Sequence, residues 1–404
     1  MYQNIAIVAG CLLVYSAFAE RIERSWLSGP IVCTILGLMA GPFGLGLLRL
    51  NLTSDGLRGM AEATLAMVLL ADAANADTSF LRSHLRIPRR LLLVGLPLTV
   101  VLGAMLAWLT FPSLALLEVA LLAAVLAPTD AALGAAVVAN AAVPPLLRES
   151  LNVESGLNDG ICVPLVLILL GYAIGTQVHH DGAHVVLTIA EEIGIGLAVG
   201  LVLTTAARML VAFAYRHGWF GAAWRDMPVL ALAISCFAGA QAIGGSGFIA
   251  CFVGGLALSA VPAETRHEML RGTEMVGKFL GFATWVVFGC AIVPWILTRI
   301  TGAGWIYAVL SLTVIRMLPV YLCLRGTGLS AASALFLGWF GPRGLASLVF
   351  AIIILDERLP GNDLLMATIG ATILLSVFAH GISATPLARR IGSRSDVPAP
   401  RTTG

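Results

Sequence analysis

Apolar stretches long enough to cross a lipid bilayer recur from one end of this 404-residue chain to the other. A bilayer-spanning helix needs about 20 predominantly apolar residues. Hydrophobic residues make up 59% of the chain and charged residues only 11%, whereas soluble domains carry about 25% charged residues. Because the stretches lack the apolar-polar alternation of barrel strands, we predict an all-α polytopic membrane protein.

Thirteen predicted spans fit the distribution of basic residues. Seventeen arginines follow odd-numbered spans and four follow even-numbered spans. Because basic residues accumulate in cytoplasmic loops, we expect an external N-terminus, a cytoplasmic C-terminus and a location in the cell (inner) membrane. The predicted spans cover residues 4–20, 29–48, 57–75, 90–111, 114–138, 153–175, 184–207, 226–243, 246–261, 273–297, 303–324, 330–355 and 362–386.

Prolines interrupt two of these spans near the middle. Span 5 contains LAPTDAAL, with Thr129 and Asp130 after Pro128, and span 12 contains WFGPRGLAS, with Arg343 after Pro342. A proline within a helix removes a backbone hydrogen bond, and such backbone is tolerated in a membrane only beside protein or a water-filled cavity. The exposed half-helix ends carry partial charges that an aspartate and an arginine could balance.

Spans 5 and 12 lie seven spans apart, so they hold corresponding places in two six-helix repeats of opposite orientation. Paired interrupted helices of this kind indicate the substrate site of a transporter. We expect one transmembrane domain over 1–390 and a short, polar, disordered cytoplasmic tail over 391–404. The repeats are expected over about 1–175 and 208–390 with span 7 (184–207) as linker, and core-type helices within 90–175 and, in part, 303–386.

Span 6 opens with the polar motif ESGLNDG at 154–160. Ser155 and Asp159 are four residues apart and therefore share a helix face. Their oxygen atoms suit hard cations, and Thr129 and Asp130 of span 5 could face them. A carboxylate inside a membrane is costly and marks a functional site by default. If Asp159 binds a proton or a small cation but never both, moving the site across the membrane produces exchange.

Glu154 shares a face with Asn158 and lies off the face of Asp159. We expect it to neutralise an intramembrane arginine, Arg343 or Arg316, because an unpaired arginine there would be costly. Lys278 is the only lysine of the chain. It lies near one end of span 10, where we expect it to extend to the membrane interface; a role in the core is the alternative.

Several motifs, in order along the chain, resemble the monovalent cation/proton antiporter family, in the branch of NhaP-type bacterial sodium/proton antiporters and animal sodium/proton exchangers. The strong matches are PTD (128–130), ESGLNDG (154–160), GSGFIACFVGGLAL (245–258) and GPRGLASLVFA (341–351), and the weaker ones are LLADA (69–73), which contains the site candidate Asp72, and IRMLPVY (315–321).

The resemblance implies a homodimer with thirteen helices per protomer, crossed broken helices in spans 5 and 12, and an elevator-like cycle. It implies that Asp159 binds the ion and the proton and that Asn158 supports it. Thr129 and Ser155 would lend oxygens, and Asp130 would stabilise the crossing.

Glu154 and Arg343 correspond to the structural ion pair of the family. The Asn-Asp pair at 158–159 goes with electroneutral one-for-one exchange. Electrogenic relatives use a lysine in span 10, where this chain has Lys278.

The residues and the resemblance together predict an antiporter that exchanges sodium, or lithium, for protons and is surrounded by membrane lipid. We expect no cofactor, no nucleic-acid partner and no enzymatic activity. Potassium/proton exchange at the same site is the main alternative, and a cation channel is a further one. An intramembrane hydrolase would need a base beside Ser155 or Ser246, and we do not expect one.

Overall fold

The computed structural model describes residues 2–23, 27–50, 55–76, 86–138, 140–177, 182–357 and 359–392. Within these ranges all regular elements are helices, which confirms the predicted fold class. The helices are α1 (Tyr2–Glu23), α2 (Gly29–Ala40), α3 (Asp55–Asn75), α4 (Arg86–Thr110), α5a (Leu116–Val125), α5b (Ala131–Val138), α6 (Pro145–Gln177), α7 (Gly182–Arg216), α8 (Met227–Ala242), α9 (Gly247–Leu258), α10 (Ala263–Arg299), α11 (Gly302–Cys323), α12a (Ala331–Trp339), α12b (Leu345–Asp356) and α13 (Asn362–Gly392).

Seven helices in the described ranges are long and apolar enough to cross a membrane, namely α1, α4, α6, α7, α10, α11 and α13. Shorter apolar helices of 10–17 residues are α2, α5a, α8, α9 and α12b. Each predicted span overlaps a helix or an interrupted helix. The number of bilayer crossings stays a prediction, because several of these helices are too short or too polar to establish a crossing alone.

Four helix boundaries differ from the predicted spans by eight residues or more. Helix α10 begins at Ala263 instead of residue 273, and α7 ends at Arg216 instead of residue 207. Helix α6 begins at Pro145, well before the predicted start at residue 153. Proline suits the first turn of a helix. The next two turns are helical but contain polar residues, so hydrophobicity alone did not indicate them. Helix α2 ends at Ala40 instead of residue 48, and a turn with Gly46 at φ 65° follows it. The apolar residues that follow Ala40 are therefore not helical.

Helices α4 and α10 each contain one π-helical turn, at Leu91–Gly95 and Phe288–Ile292. A proline follows each turn within two residues, at Pro97 and Pro294. Because proline has no backbone N–H and its ring displaces the carbonyl one turn earlier, the hydrogen-bond ladder shifts locally. Both helices continue beyond the turn, which keeps α4 and α10 long enough to pack along their neighbours.

The packing places the interrupted helices at the centre of the molecule. Helix α5a packs against α4 and α6, while α5b packs against α6 and α13. Helix α12a lies against α11, and α12b lies against α13 and α3. The two breaks are thus surrounded by α3, α6, α11 and α13. The predicted repeats, linker and core-type helices stay predictions, and the predicted tail falls outside the described residues from position 393 onward.

Candidate functional site

Helices α5 and α12 meet where both are interrupted, at residues 126–130 and 340–344. The backbone N–H of Asp130 donates a hydrogen bond to the carbonyl of Pro342 at 2.8 Å. This bond joins the two non-helical segments directly. The interruptions predicted from Pro128 and Pro342 are confirmed. Several backbone groups that have no partner within their own helix are hydrogen-bonded by the other segment.

The Asp130 carboxylate caps the N-terminal ends of both second half-helices. Its Oδ1 accepts from the Leu133 N–H of α5b at 2.9 Å, and its Oδ2 accepts from the Leu345 N–H of α12b at 2.6 Å. Both helix ends carry partial positive charge. Gly344 is required here, because a Cβ atom at this position would collide with Asp130 Oδ2. One buried carboxylate thus compensates two helix ends.

Arg343 provides the opposite charge to the C-terminal end of α5a. Its Nη1 donates to the carbonyls of Ala127 at 2.7 Å and Pro128 at 3.0 Å. These carbonyls lie in the break, two and three residues after Val125, the last residue of α5a, and so beside the negative end of that helix. The side chains of Asp130 and Arg343 therefore lie at the half-helix ends, and the ion-ligand role of Asp130 stays a prediction, since its oxygens already accept backbone bonds.

Three polar side chains tie the break of α5 to helix α6. The Asn158 Nδ2 donates to Thr129 Oγ1 at 2.7 Å, and Thr129 Oγ1 lies 3.0 Å from Ser155 Oγ. All three residues are buried. The Asn158 amide nitrogen donates to Thr129, and the Asn158 carbonyl oxygen has no hydrogen-bond donor among the described residues.

Asp159 follows Ser155 by one helical turn and is 5% exposed. Its Oδ1 and the Oδ1 of Asn158 are buried and find no hydrogen-bond donor among the described residues. A buried acceptor without a partner costs about 1–3 kcal/mol. Two adjacent residues thus present oxygens that a hard cation can bind, and the carboxylate oxygen can equally bind a proton.

The two weaker candidates, Asp72 and Lys278, differ in burial. Asp72 of α3 is half-buried, and its charge acts on Asp159 and Asp130. Helices α3 and α6 approach closely there, because a Cβ atom on Gly156 would lie 3.1 Å from the Asp72 carbonyl oxygen. Lys278 of α10 is exposed, but α10 begins at Ala263, ten residues before the predicted span, so Lys278 is not near the helix end and its interfacial position stays a prediction.

Glu154 pairs with Arg316 of α11. The Arg316 Nη2 donates to Glu154 Oε2 at 2.8 Å, and Nη1 lies 2.7 Å from Oε1. Both side chains are buried. The pair with Arg343 that the resemblance implies is not the one formed, because the Arg343 guanidinium donates to the carbonyls of Ala127 and Pro128 in the break of α5. Gly341 leaves room for Arg316, since a Cβ atom there would lie 2.9 Å from the Arg316 Cζ.

His380 of α13 belongs to the same buried region, and we did not predict it. It lies within an apolar stretch that suggests only a span; the available signal was a histidine one turn after Ser376. Its ring nitrogens contact Ser376 and the Trp339 carbonyl. Ser246 instead caps α9, accepting from the Ile249 N–H. Neither Ser246 nor Ser155 is a hydrogen-bond partner of His380.

A helical fold in which two interrupted helices cross beside a buried carboxylate is the architecture of a secondary transporter. The model of the family described as "Sodium/hydrogen exchanger, transmembrane" matches residues 7–390. The chain therefore belongs to the sodium/hydrogen exchanger family, a family of membrane transporters and not of enzymes.

Relatives with curated functions are similar over nearly all of this chain. The K(+)/H(+) antiporter NhaP2 of Shewanella sp. (strain ANA-3) is 25% identical over 391 residues, which cover 96% of this chain and 67% of the relative. The K(+)/H(+) antiporter NhaP of Alkalimonas amylolytica is 26% identical over 389 residues, covering 95% and 66%. The chain thus spans about two thirds of the length of these relatives.

A solved structure shows the same fold. The sodium proton antiporter MjNhaP1 from Methanocaldococcus jannaschii, at pH 8, aligns with a TM-score of 0.78 and 20% sequence identity. The alignment covers 96% of this chain and 98% of that protein. This likeness supports the predicted arrangement of crossed broken helices in a polytopic helical protein.

Proposed function

We propose that the chain exchanges a monovalent cation for protons across a membrane, with sodium or lithium as the cation. The cation and the proton compete for Asp159. One observation carries the proposal: the Oδ1 atoms of Asp159 and Asn158 are both buried without a hydrogen-bond donor among the described residues. We infer that a cation bound by Asp159 reaches the Asn158 oxygen as well, whereas a proton on the carboxylate removes the negative charge that holds the cation.

The surrounding side chains suit this competition. Thr129 and Ser155 hydroxyls lie 3.0 Å apart beside the Asn158 amide, and hydroxyl oxygens are ligands for hard cations. Asp130 stabilises the crossing through two backbone bonds. Asp72 approaches from α3 and adds negative charge to the region of Asp159 and Asp130. Because one carboxylate exchanges one proton for one cation, the charge carried in each direction is equal and the exchange is electroneutral.

The cycle is of the elevator type. Hydrogen bonds and the ion pair connect α5, α6, α11, α12 and α13 around the site, so these helices form one unit. This unit would move against a dimerisation domain formed by other helices, within a homodimer in the cell membrane. The N-terminus lies outside and the C-terminus in the cytoplasm, as the positive-inside rule indicates. Such exchange would serve pH homeostasis.

Potassium/proton exchange at the same site is the second candidate. It is favoured by the relatives named as K(+)/H(+) antiporters, which match over almost the whole chain. Oxygen ligands serve either ion, and cavity size and ligand number decide between them. The two candidates share a mechanism and differ only in the cation.

Proteoliposomes with a preset pH gradient test the proposal. Internal pH is followed as sodium, lithium, potassium and choline salts are added in turn, with the membrane potential clamped. Asp159→Asn should fold and lose exchange. Asp363→Asn is the matched control, because it removes the same charge from an exposed carboxylate at the start of α13.

A response to sodium or lithium that Asp159→Asn abolishes and Asp363→Asn retains is the expected result. A response to potassium alone would select the second candidate. Normal exchange by Asp159→Asn would refute the role of this carboxylate. Currents far above transporter turnover in planar bilayers would identify a channel instead.

A further inference from the structure

Helix α13 holds both ends of the break in α12 through two side chains one turn apart. His380 Nε2 lies 2.8 Å from the carbonyl oxygen of Trp339, the last residue of α12a. Ser376 Oγ accepts from the backbone N–H of Arg343 at 2.7 Å, near the start of α12b. Both side chains are buried. The non-helical segment 340–344 is therefore anchored on each side to the same face of α13.

The partners of His380 assign its tautomer. The Trp339 carbonyl can only accept, so Nε2 carries the hydrogen and donates it. Nδ1 lies 3.1 Å from Ser376 Oγ and 2.9 Å from the Ser376 carbonyl oxygen. Ser376 Oγ can donate its own hydrogen to Nδ1, because Arg343 supplies the bond that Oγ accepts. A doubly protonated ring would add a positive charge beside Arg343 and Arg316 in a buried region, which is costly. The neutral ring satisfies the Trp339 carbonyl and Ser376 Oγ, and the Ser376 carbonyl has its donor in the hydrogen-bond ladder of α13.

The anchored segment leads directly to the ion site. Arg343 donates through its side chain to the carbonyls of Ala127 and Pro128. Thr129, the next residue, accepts from Asn158. Any displacement of Arg343 along α12 is therefore passed to the segment of α5 that holds Thr129. The contacts form a continuous chain from His380 to the amide of Asn158.

We infer that His380 is a positioning residue for the ion site, acting through Ser376 and Arg343 on the α5 break. It donates to the carbonyl of the last residue of α12a, just as Arg343 donates to carbonyls in the break that follows α5a. It touches neither the cation nor Asp159. This inference rests on the proposed function, because its measurable consequence is the affinity for the exchanged cation.

Three variants test the inference in proteoliposomes. His380→Phe keeps an aromatic ring but removes both nitrogens, and His380→Gln keeps an N–H donor for the Trp339 carbonyl. Ser383→Ala is the matched control, since Ser383 lies on the same helix and accepts from the Trp339 indole Nε1 at 2.9 Å. It removes a bond to the side chain of Trp339 and leaves the carbonyl contact intact.

Loss of a buried hydrogen bond should raise the cation KM of His380→Phe roughly tenfold, with a smaller change in maximal rate. His380→Gln should lie within about threefold of the wild type, and Ser383→Ala should keep the wild-type KM. An unchanged KM in His380→Phe, or a KM in His380→Gln as high as in His380→Phe, would overturn the inference. An equal rise in Ser383→Ala would also overturn it, since any loosening of α13 would then suffice.

If His380→Phe does not fold, Ser376→Ala provides the second test, because it removes the bond to Arg343 from the other end of the same chain of contacts. A roughly tenfold rise in KM is again expected, and an unchanged KM would overturn the inference. Wild-type protein that exchanges no cation would refute the proposed function itself. Wild-type exchange with an unaltered His380→Phe would refute only the positioning role.

Discussion

Replacing Glu154 by glutamine should destabilise the protein strongly while leaving cation affinity almost unchanged. The Glu154 and Arg316 side chains are 1% and 0% exposed, and their charged atoms approach to 2.7 Å. Removing one partner of such a buried pair leaves an uncompensated charge, which costs about 3–5 kcal/mol. Glu154 is one residue off the helical position that Asp159 shares with Ser155, so its charge acts on Arg316 and not on the cation.

The chain contains a matched control for this substitution. Glu62 pairs with Arg58 at 2.8 Å, but the Arg58 side chain is 36% exposed, and exposed pairs contribute about 0–1 kcal/mol. Glu62→Gln should therefore shift the melting temperature in detergent much less than Glu154→Gln does. The double variant Glu154→Gln with Arg316→Met should recover much of the loss, because neutral replacement of both partners is often tolerated.

Thermal unfolding in detergent and the cation KM in proteoliposomes are measured on the same preparations. A melting temperature of Glu154→Gln no lower than that of Glu62→Gln would contradict the ion-pair account. A tenfold rise in KM with unchanged stability would place Glu154 in the binding site instead. A double variant as unstable as Glu154→Gln would show that the lost charge pairing is not the cause.

Three further substitutions test separate parts of the site. Gly344→Ala should prevent folding or sharply lower the melting temperature, because its Cβ would collide with the carboxylate that caps both half-helices, whereas Gly302→Ala, with open space around its Cβ, should behave as wild type. Thr129→Val leaves the buried Asn158 amide donor unpaired, a cost of about 1–3 kcal/mol, and should raise the cation KM; an unchanged KM would remove Thr129 from the site. Lys278→Gln should retain voltage-insensitive exchange with the wild-type KM, and a current that disappears in this variant would assign the exposed lysine a role in transport.

The interrupted helices could be predicted from the sequence because the effect of proline is local. Pro128 and Pro342 each remove a helix hydrogen bond wherever the helix lies, so no knowledge of neighbours was needed. The shared face of Ser155 and Asp159 follows equally from helix periodicity within one segment. These features depend on residues a few positions apart, for which spacing along the chain determines spacing in the molecule.

The partner of Glu154 could not be chosen from sequence, because it depends on contacts between distant helices. Arg316 and Arg343 are both intramembrane arginines on helices far along the chain, and either side chain is long enough to reach a carboxylate. The structure separates them only through the direction of each guanidinium: Arg343 faces the carbonyls in the break of α5, and Arg316 faces Glu154.

Hydropathy did not indicate the role of His380 or the start of α6. His380 lies in a helix whose apolar residues predict a span and nothing more, and its bonds to Trp339 and Ser376 depend on how α12 packs against α13. Helix α6 begins at Pro145 because polar residues such as Arg148 and Glu149 form helix as readily as apolar ones. An apolar window therefore marks where a helix could be buried, not where it begins.

The exchange of caps between α5 and α12 has a consequence for biosynthesis. Arg343 is 216 residues away from the Ala127 carbonyl to which it donates. At roughly 5–20 residues per second, the ribosome needs about 10–40 s to make the intervening chain. During that interval the carbonyls of Ala127 and Pro128 have left the ribosome, but the guanidinium of Arg343 has not yet been made. Water or the insertion machinery must therefore donate to those carbonyls. The first half of the protein therefore cannot form the crossing of α5 and α12 alone, and the crossing forms only after α12 has been synthesised.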